Sequence, residues 1–218
     1  MFVHDRHPVA NFTTHIGVAA SAGAAIAASG LSAQLWPLTQ APAIVLLVAL
    51  GGIMPDIDAD KSRSTRLIFT VLAITAALSA LALARPCLSI LGATCLALAL
   101  YVGIRDVVAV VFRALTRHRA SWHSLLAVTA VLFSTTTVSY RCFGQPARLA
   151  WSHGMAVAAG MLIHLLLDEC FSIDLEGARL KRSFGTALKL FDYRRPYATA
   201  LMAGATLLVM AWAPHWPF

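Results

Sequence analysis

Four short stretches of the chain carry residue types suited to holding a cation or moving a proton. His164 and Asp168 stand four apart in Ile163-His164-Leu165-Leu166-Leu167-Asp168, so on a helix the imidazole and the carboxylate share a face. Met54-Pro55-Asp56-Ile57-Asp58-Ala59-Asp60 sets three carboxylates at alternate positions. In an extended loop alternate side chains point to one side, where these could converge on one cation. The loop lacks the glycine and terminal glutamate of an EF-hand, which rules out calcium-sensor chemistry. In His118-Arg119-Ala120-Ser121-Trp122-His123-Ser124 the two imidazoles are five residues apart, about 140° around a helix. His118 is therefore expected in a loop and His123 in the first turn of a helix capped by Ser121. Thr13-Thr14-His15 sets one more imidazole at the start of an apolar run.

Each stretch alone also admits a plainer reading: a self-bonded helix-end pair, an acidic turn balanced by Lys61, Arg63 and Arg66, or histidines at a membrane interface. Together they offer imidazole and carboxylate donors without sulfur, a set that suits zinc, manganese, iron or nickel. The seven candidates His15, Asp56, Asp58, His118, His123, His164 and Asp168 exceed the ligands of a single zinc. A divalent transition metal, zinc or manganese foremost, is expected, with room for two ions. Such ions lower the pKa of a bound water towards ~7 and clamp the oxygens of a hydrolytic displacement. Asp60 is then a candidate general base. Arg119 joins it in the catalytic set, and with Lys181 and Arg182 it can hold an anionic substrate. The basic segment continues to Lys189, Arg194 and Arg195, and Leu180, Phe184, Leu188 and Phe191 give it an apolar stripe. His4 and His7 stay unassigned; His153 and His215 read as structural.

A very apolar chain must position these groups. Of 218 residues 59% are hydrophobic and 12% charged, with mean hydropathy +0.73, against roughly 25% charged in a soluble domain. A soluble enzyme, a disordered tail and a disulfide-stapled secreted domain are all excluded. The four cysteines form no CxxC pair, so neither a disulfide framework nor a zinc ribbon is read. Membrane spans of about 20 residues are expected near 15–35, 38–54, 67–84, 86–104, 123–140, 147–167 and 197–213. The run ending Leu31-Ser32-Ala33 loosely resembles a signal-peptide cleavage site, but Asp5 stands beside Arg6 in a segment poor in cations, so the run is read as a retained span. The expectation is an all-α, polytopic transmembrane helical bundle of about seven spans, one membrane-embedded domain over 1–218. Gly17, Gly23 and Gly160 would allow close helix packing, within the chain or between chains.

The segments between spans alternate between two sides. Fourteen of the 17 Lys and Arg fall on the side of the N-terminus, which makes that side cytoplasmic. The net charge of +7 is thus an orientation and headgroup signal, and nucleic acid is not an expected partner. All ten acids and six of the eight histidines lie on the same side. Acids contribute little to orientation, so a common site at headgroup depth is the stronger reason for their gathering.

The order of these motifs resembles that of the LexA-binding, inner-membrane-associated, metal-dependent hydrolase family, the YdjM-like group. The resemblance rests on His15, Pro55-Asp56-Ile57-Asp58, His118-Arg119-Ala120-Ser121-Trp122-His123-Ser124 and Ile163-His164-Leu165-Leu166-Leu167-Asp168, and covers about residues 11 to 190. Trp122 departs from it, standing where threonine commonly precedes the second histidine. The resemblance implies a multi-pass protein of the bacterial inner membrane and metal-dependent hydrolysis through the seven residues above. Membrane lipids are the expected surroundings, and a lipid-linked phosphoester or other membrane-anchored ester the expected substrate. A metal or ion transporter and a scaffold with a structural metal are the alternatives. Transport sites lie near the bilayer midplane, and no acid lies mid-span here.

Overall fold

The computed structural model describes residues 12–58, 63–115, 122–174, 179–180 and 188–218. Eight α-helices occur among them: α1 Phe12–Ser32, α2 Ala41–Gly51, α3 Arg63–Ala84, α4 Ile90–Val102, α5 Ala109–Leu115, α6 Leu125–Arg141, α7 Ala147–Cys170 and α8 Pro196–Trp212. A π-helical stretch, Gly103–Val108, joins α4 to α5. Two two-residue strands, Ile173–Asp174 and Arg179–Leu180, pair antiparallel. The all-α class is as the apolar runs required, and each expected span coincides with a helix. Four reach the length and apolarity needed to cross a membrane: Phe12–Ser32, Arg63–Ala84, Ile90–Phe112 and Ala147–Cys170.

Local chemistry sets the helix ends. Pro42 sits in the first turn of α2, where its missing N–H costs no helical bond, so the proline does not break that apolar run. The Arg85-Pro86 break separates α3 from α4, and Ser89 then caps α4 by accepting the Gly92 N–H at 3.2 Å. Ser124 caps α6, its Oγ accepting from the Ala127 N–H at 3.3 Å. The α6 cap is thus three residues later than expected at Ser121, which lies outside the described residues, and His123 precedes the helix instead of occupying its first turn.

The chain divides into two compact units, residues 1–55 with 121–218, and residues 56–120. In the first, α7 is the central helix and its buried residues span nearly its whole length. On one side Ala158, Met161 and Leu165 meet Ala127 and Val128 of α6. On another Ala156 meets Ala27 of α1 and Ile44 and Val48 of α2. Small residues let the backbones close in, as van der Waals packing in a bilayer favours. A Cβ on Gly160 would meet the Val48 carbonyl and the Gly52 nitrogen, and one on Gly51 would meet the Val157 carbonyl. Gly23 likewise packs on Val45 and Val48, whereas a Cβ on Gly17 would meet open space, so Gly17 makes no close helix contact among the described residues of the chain. In the second unit α3 and α4 pair, Phe69 meets Phe112 edge to face, and Thr65 Oγ1 donates to the Ile57 carbonyl at 2.9 Å.

Candidate metal centre

Three helix ends of the first unit carry the candidate ligands. His15 lies in the first turns of α1 and leads its buried stripe of His15, Ala19, Gly23, Ala27 and Gly30, a spacing that turns the imidazole inward. His164 and Asp168 occupy the last turns of α7, and His123 directly precedes the α6 cap. The three imidazoles surround one carboxylate. His15 Nε2 is 3.3 Å from Asp168 Oδ1; His164 Nε2 and His123 Nε2 are 3.5 and 3.6 Å from Oδ2. The His15 and His164 rings stack at 3.8 Å, and His123 meets His164 edge-on at 5.6 Å. His15, His123 and His164 are 3%, 5% and 1% exposed, while the Asp168 side chain is 24% exposed. The cluster therefore opens over its carboxylate.

The α2–α7 glycine crossing fixes one tautomer. His164 Nδ1 stands 2.7 Å from the Gly52 carbonyl, which can only accept, so Nδ1 carries a hydrogen and Nε2 is the nitrogen that faces Asp168. A metal-binding imidazole is held in the same manner by a partner on its other nitrogen. The separations are also informative. A charge-assisted N–H···O⁻ bond spans about 2.7–2.9 Å, shorter than any of the three. Two donors at ~2.1 Å from a tetrahedral ion lie roughly 3.4 Å apart. Donor atoms of His15, His164 and Asp168 all lie within 4.8 Å of one another, and His15 Nδ1 is buried without a hydrogen-bond partner. These residues fit a divalent transition metal in both donor type and spacing.

The other candidates are placed differently. Asp56 is half-buried and opens the second unit, in the 3-10 turn Met54–Asp58. Asp58 belongs to the same turn, and its side chain lies outside the described residues. The backbone there is 3-10 helical, not the extended loop expected, so alternate residues no longer share a side. Asp60, His118, Arg119, Lys181 and Arg182 lie outside the described residues. Sequence reasoning missed the Gly52 carbonyl; the only trace of it was the Gly51-Gly52 pair closing an apolar run.

An all-helical, strongly apolar chain whose helix ends gather three imidazoles around a carboxylate is a membrane protein with a built site, capable of holding a metal ion. The family is equally definite: the chain belongs to the YdjM inner membrane protein family, whose model matches residues 10–213. It matches no curated protein and no solved structure.

Proposed function

We propose that the protein is a multi-pass, metal-dependent hydrolase whose site faces the cytoplasm at headgroup depth and acts on a lipid-linked phosphoester or another membrane-anchored ester. The observation that carries this reading is the convergence of His15, His123 and His164 on Asp168 at 3.3–3.6 Å. These four residues would hold one divalent cation, zinc or manganese. Such an ion, when bound, would supply Lewis acidity and lower the pKa of water.

Everything else falls to the chain's own side chains. The buried imidazoles exclude water from the inner side of the site, leaving access over Asp168. On the sequence pattern alone, Asp60 is the proposed general base, and Arg119, Lys181 and Arg182 are the proposed cations for an anionic group. The Gly52 carbonyl holds the His164 Nδ1–H, so that Nε2 is the nitrogen that would ligate an ion. The position at helix ends favours hydrolysis over transport, whose sites sit near the midplane at broken helices. A membrane-anchored substrate also accounts for an enzyme built into the same membrane.

Purified protein loaded with zinc or manganese tests this directly against a panel of lipid phosphoesters and acyl esters. The expected result is metal-dependent cleavage of at least one class, lost in His164→Ala. Failure of the loaded protein to cleave any of them would remove the hydrolase reading. Uptake of metal into sealed vesicles, abolished by Asp168→Ala, would replace it with transport.

A further inference from the structure

Residues 188–195 form a strap with a fixed backbone and an amphiphilic exposed surface. The Lys189 and Leu190 carbonyls each accept an N–H from the start of α6, Leu125 and Leu126, at 3.0 Å. Buried Asp192 accepts the Arg194 N–H at 3.2 Å and lies 3.9 Å from Lys189 Nζ. Its carbonyl accepts from Thr199 Oγ1 at 2.9 Å and from the Arg195 N–H at 3.2 Å. The strap is therefore tied to α6 just beyond His123 and to the start of α8.

From this frame Leu190, Phe191, Tyr193 and Tyr197 project outward, with the Phe191 and Tyr193 rings 4.3 Å apart. Arg194 is exposed and Arg195 half-exposed. The one acid of the strap is spent on Lys189, and among the described residues no carboxylate is paired with either arginine. Exposed aromatics beside unpaired guanidinium groups match the layered chemistry of a headgroup region. Guanidinium also binds phosphate through paired hydrogen bonds.

We propose that this strap is a binding site for anionic phospholipid. Arg194 and Arg195 take the headgroup phosphate, and Phe191 and Tyr193 lie against the glycerol backbone. The proposal stands apart from the hydrolase reading: the lipid site would persist if no ester were cleaved.

The test is native mass spectrometry of the full-length protein in micelles doped with phosphatidylglycerol or phosphatidylcholine, wild type beside Arg194→Gln/Arg195→Gln. Wild type should retain phosphatidylglycerol preferentially. The variant should lose roughly fivefold of that preference per cation removed, with helix content and metal content unchanged. Wild type alone gives a second reading, a several-fold fall in phosphatidylglycerol retention from low to high salt. Equal retention by both proteins, or retention indifferent to salt, would overturn the proposal. So would displacement by inorganic phosphate together with no preference between the lipids, which would assign the arginines to a soluble ligand.

Discussion

Asp168 is the residue on which the three imidazoles depend, because each points a nitrogen at its carboxylate. Asp168→Asn keeps the side-chain volume and removes the charge. It should lower metal affinity about 100-fold or more in a chelator competition while far-ultraviolet circular dichroism stays unchanged. Retained affinity would mean that Asp168 is no ligand. Chelation of wild-type protein should lower its melting temperature, since a ligand at 100 times its Kd stabilises by about 2.7 kcal/mol; an unchanged midpoint would count against a bound ion. These side chains are legible in the sequence, since the four-residue spacing of His164 and Asp168 dictates a shared helical face and His15 opens an apolar run. The Gly52 carbonyl is not legible there, because a backbone acceptor has no residue signature and is placed only by how two helices cross.

That crossing is the matter of the elements. Gly160→Ala would set a methyl against the Val48 carbonyl and the Gly52 nitrogen, both backbone, so α2 and α7 must separate. The expected outcome is about 1–3 kcal/mol of lost stability, read by thermal unfolding, and a 10–100-fold loss of metal affinity as His164 loses its partner. Gly17→Ala meets open space and should leave both unchanged; equal effects of the two would sever the packing from the site. Ser124→Ala should cost about 1 kcal/mol by removing the α6 cap. Apolar run length locates the helices to within a few residues. It does not place the α6 cap, because serines at 121 and 124 both precede the same run. Nor does it give the turn at Met54–Asp58, because alternating acids read equally as an extended loop.

For the whole molecule, charge segregation carries most of what is readable: 14 of the 17 Lys and Arg and all 10 acids fall on one side of the expected alternation. The free, exposed cysteines report on it without mutation. An impermeant maleimide applied to intact spheroplasts should label Cys87 and Cys142 and reach Cys170 only after permeabilisation; the reverse pattern would invert the orientation. Whether the gathered donors hold a metal is the central question. The decisive measurement is the metal content, by mass spectrometry, of the detergent-purified protein beside His164→Ala/Asp168→Ala. One or two equivalents of a transition metal in wild type, absent from a variant that keeps its helix content, is the predicted result. No metal in wild type, even after reconstitution with zinc and manganese, would contradict it.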